Sequence, residues 1–357
     1  MFLTHKLLTK ILEAQASQSF AVNALYPLFE YCVRFRKTIE NYVLSSTITT
    51  HNTTLIVHIA TFRKDNVHIR NEAELLDKVN KLIEDGHDKL QIVTDFDHTL
   101  TRQKMDDGQI VLTSFGIFRE CPSVPQHYKD EDTRLAGIYK PIEADPNMGV
   151  VEKTQHMVDW YTAAHSLLKG VKFPTHELMD SAKKIVPCFR HGVEHMIKWC
   201  EDQQVPVLVF SAGLGESVTA ALQAAKFLQP HVKVVSNFLA MDENDCIVGI
   251  KGEVIHTYNK NETVIKNTEY YEMVKDRCNV ILMGDNIGDA GMAEGMEHCS
   301  VVIKVGFLGH HASNLDNYLN KFDIVLVDEP SVDAVNAILK NISSCLSEDI
   351  SLLPSVA

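Results

Sequence analysis

A chain of 357 residues is long enough for a full α/β enzyme domain with a smaller domain inserted or appended. Its 45% apolar and 23% charged residues are those of an ordinary globular protein. A formal charge of −13 argues against a general binder of nucleic acid or anionic membranes, because phosphate surfaces need clustered cations.

The eight cysteines are scattered with no C-x-x-C pair, which reads as reduced thiols in a cytoplasmic chain and not as a disulfide framework. No run of about 18 apolar residues occurs, so no membrane span is expected. Residues 1–61 form a variable N-terminal extension. Met1–Ala14 can make an amphipathic helix with Leu3, Leu7, Leu8, Ile11 and Leu12 on one face. A targeting segment would be richer in arginine, so a tail or docking helix is the better reading.

From Asn71 the pattern becomes regular. Glu72–Asp85 has apolar residues at helical spacing and stops near Gly86. Leu90–Thr94 is a short apolar run suited to a buried parallel strand, and Val205–Phe210, Asn279–Met283 and Asp323–Val327 repeat its character. Helical patterns over Glu216–Phe227, Thr268–Arg277 and Ser331–Asn341 lie between or after them. Strands alternating with helices predict an α/β fold with a doubly wound parallel sheet. About a hundred residues separate the first two strands, too many for one crossover, so this stretch is expected to hold a mainly helical domain. Its helices are predicted over Thr154–Gly170, Thr175–Val186 and Gly192–Asp202. The expected division is a core of residues 62–103 and 204–345 with a cap of residues 104–203.

Chemistry enters at Asp95-Phe96-Asp97-His98-Thr99, directly after the first strand. Residues two apart on an extended segment project to one side. Two carboxylates held together there need a cation or a shared proton. Magnesium would meet that need and also neutralise a phosphoryl group. One carboxylate can then attack phosphorus while its neighbour moves protons. Capping aspartates at a helix start are the plainer explanation of this motif alone.

Three further segments strengthen the chemical reading. Ser211-Ala212-Gly213 follows the second strand, where a hydroxyl and backbone amides can hold a phosphate oxygen. Gly284-Asp285-Asn286-Ile287-Gly288-Asp289 follows the third, placing two acids at another strand end, although Asp-rich turns are common. Lys260 lies between these segments in sequence; a lysine is usually a solvated surface charge, and only its place in that order makes it a phosphate-binding candidate.

The order D-x-D-x-T, strand-end Ser, Lys and G-D-x-x-G-D resembles the haloacid dehalogenase superfamily of phosphotransferases. That resemblance implies a Rossmannoid core with Asp95 as nucleophile and Asp97 as general acid and base. It implies phosphoryl contacts from Ser211, Ala212 and Lys260. Magnesium would be held by Asp95, the Asp97 backbone carbonyl and Asp285, with Asp289 in support. Leu90–Asp97, Met157–Thr162, Val234–Phe238 and Tyr258-Asn259-Lys260 are further similar to the cytosolic 5′-nucleotidase III family. The similarity runs from about Phe62 to about Ile342.

This closer resemblance implies a magnesium-dependent 5′-nucleotidase acting on a small nucleoside monophosphate, a pyrimidine one or 7-methyl-GMP, as a cytoplasmic monomer. It matches Glu143 to a cap residue contacting the nucleoside, and Trp160 and Tyr161 to an aromatic pair suited to stacking a base. Ala164 stands where the pyrimidine-preferring branch carries serine. His98 replaces a usual methionine, and Gly309-His310-His311 replaces a typical Asn-Asp pair. Tyr161 resembles the pyrimidine branch, whereas Ala164, His256–Asn261 and Lys304–Leu308 lean to the methylguanosine branch, so base preference stays open. A phosphatase for phosphoserine or a sugar phosphate would share the core motifs. Phosphate transfer to a second nucleoside would too, whereas a catalytically silent binding protein would have lost one of Asp95, Asp97, Ser211, Lys260 and Asp285.

Overall fold

In a computed structural model the described residues are 60–351, apart from 146–147, 267, 296–297 and 310–313. The N-terminal helix and the His310-His311 pair therefore lie outside the described residues. Among the described residues no helix is long and apolar enough to cross a membrane. Cys121, Cys188, Cys200, Cys246, Cys278 and Cys299 are free thiols.

Strands β1 (Val67–Ile69), β2 (Leu90–Thr94), β3 (Val207–Leu214), β4 (Val232–Asn237), β7 (Asn279–Gly284), β8 (Val301–Leu308) and β9 (Ile324–Val327) make one seven-stranded sheet in the order β1-β9-β8-β7-β2-β3-β4. Among the described residues of this sheet only the β1–β9 pairing is antiparallel. Every residue of β2 is buried, as a central strand covered on both faces requires. From β2 the chain builds outward to β3 and β4, then returns to lay β7, β8 and β9 on the other side. β2 is therefore the switch point where a crevice opens beyond the strand ends.

Local chemistry sets the helix limits. α1 (Glu72–Asp85) starts where the Asn71 side chain accepts from the N–H groups of Ala73 and Glu74. It stops at Gly86, which takes φ 73° and returns its N–H to Leu82. Leu75, Val79 and Leu82 form its buried stripe. Between β2 and β3 lie α2 (Ser114–Arg119), α3 (Gln126–Ala144), α4 (Val150–Ser166), α5 (Thr175–Lys183) and α6 (Val193–Asp202). The expected helices at 154–170, 175–186 and 192–202 correspond to α4, α5 and α6 with shifted ends. The helix α7 (Gly215–Ala224) ends three residues before Phe227, because Lys226 takes the left-handed φ of 62°. β3 begins only after Pro206, which has no N–H for the ladder, and runs on to Leu214.

The expected helix at 268–277 shortens to α9 (Glu269–Val274), after a single turn α8 (Glu262–Ile265). α10 (Leu315–Leu319) precedes β9, and the last helix lengthens to α11 (Asp333–Ser351). A two-stranded hairpin, β5 (Leu239–Met241) with β6 (Ile247–Ile250), leaves the main sheet. It reaches the segment after α4, where Gly170 donates its N–H to Ile247 and Phe173 to Asp245.

Candidate active site

The strand ends at the switch point place the polar residues. Asp95 follows β2, and its N–H donates to Met283 of β7, so the two strands meet at the acid. Asp285 and Asp289 follow β7. The Asn286 side chain accepts from the Gly288 N–H, while the Asp289 carboxylate accepts from the Asn286 N–H, a reciprocal cap that fixes this turn. Gly284 is required here: a Cβ on it would collide with the Asp289 side chain.

Lys260 is buried, with Nζ 2.6 Å from Asp95 Oδ1 and 2.7 Å from Asp289 Oδ1. Burial opposes the charge of Lys260, yet Asp289 and Asp95 hold its pKa above the ordinary lysine value. Burial pushes the Asp95 carboxyl up to about 7 against the pull of Lys260, with Asp289 and Asp97 adding repulsion. Asp285 is likewise raised well above the carboxylate range by burial and then by Asp95 and Asp289. One lysine therefore does not offset the three acids. Carboxylate oxygens of Asp95, Asp285 and Asp289 lie within 4.8 Å of one another, an all-oxygen set suited to a hard divalent cation. The donor chemistry fits magnesium.

Asp97 is turned to a different partner. Its Oδ1 accepts the Ser114 N–H at 2.7 Å and its Oδ2 accepts the Ser114 hydroxyl at 2.6 Å. The side chain is thus fixed by the first residue of α2, outside the cluster of three acids. Burial raises its pKa, against His98 and these two hydrogen bonds. Gly213 makes room for this pair, since a Cβ there would strike Ser114 Oγ. Ser211 is buried and its Oγ accepts the Gly213 N–H at 3.0 Å, which leaves the hydroxyl proton to donate elsewhere.

The last residues of β3 are held from β4. Ser236 donates to the Gly213 carbonyl, and Asn237 Nδ2 donates to the carbonyls of Ala212 and Ile255. Asn237 also accepts the Ile255 N–H, so one side chain ties the end of β3 to the segment carrying Lys260. This gives a physical role to Val234–Phe238, which sequence reasoning noted only as a resemblance.

Above these groups lies a cavity of about 220 Å³ whose wall includes every site residue read from the sequence. Asp95, Asp97, Ser211, Ala212, Lys260, Asp285 and Asp289 form its floor. Glu143, Trp160, Tyr161 and Ala164 come from α3 and α4. Trp160 stacks on Tyr139 at 5.7 Å between ring centroids and meets Tyr161 edge-on at 5.6 Å, so one face of its ring is already occupied. The Thr257 hydroxyl donates to Glu143 Oε1 at 2.6 Å, and the Tyr258 hydroxyl to the Glu143 carbonyl. Burial raises the Glu143 pKa, and the Thr257 hydrogen bond opposes that.

Sequence reasoning missed Ser114, Arg119, Asp132 and Thr257, and treated His98 only as a departure. The missed signal on α3 is helical spacing: Asp132, Ala136, Lys140 and Glu143 fall on one stripe of that helix, and all line the cavity.

The pyrimidine 5′-nucleotidase (UMPH-1) family matches residues 98–343. The chain is 41% identical over 283 residues to a 7-methylguanosine phosphate-specific 5′-nucleotidase of Drosophila melanogaster, covering 79% of this chain and 88% of that one. It is 33% identical over 285 residues to the Homo sapiens protein of that name, covering 80% and 95%. A crystal structure of cytosolic 5′-nucleotidase IIIB bound to cytidine superposes with a TM-score of 0.78 at 39% identity, over 83% of this chain and 99% of that one. With the D-x-D, Ser, Lys and G-D-x-x-G-D groups gathered at one switch point, the chain belongs to the pyrimidine 5′-nucleotidase family of the haloacid dehalogenase superfamily and is a 5′-nucleotidase, a phosphoric monoester hydrolase.

Proposed function

We propose that this 5′-nucleotidase removes phosphate from pyrimidine nucleoside monophosphates, 7-methyl-GMP or both, through an aspartyl-phosphate on Asp95. The observation that carries this reading is the arrangement of Asp95 on the cavity floor, paired with Lys260, and Asp97 fixed separately by Ser114.

In the first half-reaction an Asp95 oxygen forms a bond to phosphorus as the bond to the 5′-oxygen breaks. Asp97 gives its proton to that departing oxygen. In the second half-reaction Asp97 takes a proton from water as the water oxygen attacks phosphorus, which frees phosphate and restores Asp95. Lys260, the Ser211 hydroxyl and the amides of residues 211–213 at the end of β3 receive the phosphoryl oxygens. Asp95, Asp285 and the Asp97 carbonyl would hold magnesium, with Asp289 in support; the chemistry it supplies there is neutralisation of phosphoryl charge. Both Asp289 oxygens already accept hydrogen bonds, from Lys260 and from the Asn286 N–H, which supports that secondary part.

The helices α2–α5 act in this reading as a cap that excludes water and holds the nucleoside between Glu143 and the Trp160–Tyr161 pair. The curated relatives named for 7-methylguanosine phosphate and the cytidine-bound neighbour support both base classes. The reading also places a monomeric enzyme in the cytoplasm.

Phosphate release from CMP, UMP, 7-methyl-GMP, AMP and phosphoserine, with magnesium and with EDTA, tests the proposal. Turnover is expected from CMP or 7-methyl-GMP and is abolished by EDTA. Asp95→Asn is expected to lose more than about a thousandfold in kcat. Unchanged turnover by Asp95→Asn would overturn the covalent route, and turnover of phosphoserine alone would overturn the nucleotide reading.

A further inference from the structure

An ion pair in the cavity wall has no part in the chemistry described above. Arg119, the last residue of α2, places Nη1 3.0 Å from Asp132 Oδ2 on α3, and both line the active-site cavity. Asp132 is nearly enclosed, with 9% of its side chain exposed, while Arg119 keeps 32%. Burial raises the Asp132 pKa and Arg119 opposes that rise, while the ion pair fixes the arginine against α3. With one nitrogen used on Asp132, Nε and Nη2 retain N–H donors.

The position of Arg119 along α2 gives the pair its meaning. Ser114, at the start of α2, grips Asp97 on the floor. Arg119 is five residues further, roughly 7.5 Å along the helix axis, and lines the same cavity. Phe115 of the same helix and Tyr161 of α4 line the wall beside it, their rings meeting edge-on at 6.1 Å. Lys140 also lines the cavity but is exposed and carries no comparable clamp.

We infer that Arg119, clamped by Asp132, is a specificity-determining residue that selects bases bearing a ring carbonyl oxygen. This rests on the nucleotide reading above. A guanidinium only donates, so it rewards an acceptor in the base plane. Cytosine, uracil and 7-methylguanine each present a carbonyl oxygen, whereas adenine presents none.

The test measures kcat and KM for CMP, 7-methyl-GMP, AMP and ribose 5-phosphate in the wild type and in Arg119→Met. The expected result is a loss of about tenfold in kcat/KM for CMP and 7-methyl-GMP, carried by KM, at the low end for a polar base contact. AMP and ribose 5-phosphate should stay within about twofold. Arg119→Lys, which keeps the charge and the ion pair, should lose selectivity partially; it decides the matter if the methionine variant does not fold. An equal loss on all four substrates would make the pair a mere staple between α2 and α3 and overturn the inference, as would unchanged selectivity. A wild type that hydrolyses ribose 5-phosphate but no nucleotide would sink the nucleotide reading and this inference together. A base-selective wild type whose selectivity survives Arg119→Met would overturn this inference alone.

Discussion

Asp97 shows how a single neighbour can define a residue's task. Two donors from Ser114 hold both carboxylate oxygens, so the acid keeps one orientation at the cavity floor. Ser114→Ala removes the hydroxyl donor and leaves the N–H. We expect kcat for CMP to fall about tenfold with KM little changed, as the proton donor loses its alignment. The same substitution should matter much less for p-nitrophenyl phosphate, whose leaving group needs no proton; comparing kcat on the two substrates checks this. The acid pair and the lysine were legible in the sequence because their chemistry is carried by residue type and order. Ser114 was not, since its partner lies 17 residues away and nothing in the intervening loop announces the contact.

At the scale of elements, the turn after β7 is built around an absent side chain. Gly284→Ala would force Asp289 away from Lys260, and we expect a loss of about 1–3 kcal/mol in stability together with a loss of more than tenfold in kcat/KM. Thermal unfolding and steady-state kinetics on one preparation would check both. β2 and α1 were read with their observed limits because apolar runs and caps are local signals. The helix α3 was missed for a physical reason: its patterned stripe of Asp132, Ala136, Lys140 and Glu143 faces the cavity, not an apolar core, so no hydrophobic period marks it. The hairpin β5–β6 and the three-residue β1 are too short for period-two alternation to show.

For the whole molecule, α4 is joined to α2 through a histidine. His165 is buried against Phe115 and Tyr161, and neither of its nitrogens has a hydrogen-bond partner. Burial lowers its pKa from the ordinary 6.5 to about 4. The unfolded chain therefore binds more protons than the folded one between these values, and stability falls as pH drops from about 6.5 to about 4. The full effect is about 3 kcal/mol. His165→Phe should remove that share of the acid sensitivity; urea unfolding of both proteins at pH 7 and pH 4.5 measures it, and parallel losses would contradict the assignment.

The sheet order also bears on how the chain is made. β2 finishes with β7 on one side and β3 on the other, but β7 begins at Asn279, long after β2 has left the ribosome. Lys260 follows Asp95 by 165 residues, on the order of 10–30 s of synthesis at typical elongation rates. Throughout that interval β2, every residue of which is buried in the finished enzyme, is an open edge on its β7 side, with its acid not yet paired to Lys260. A nascent or truncated chain ending before residue 279 thus presents a ready template for pairing with other chains, and the buried centre of the finished enzyme is its most exposed liability while it is being born.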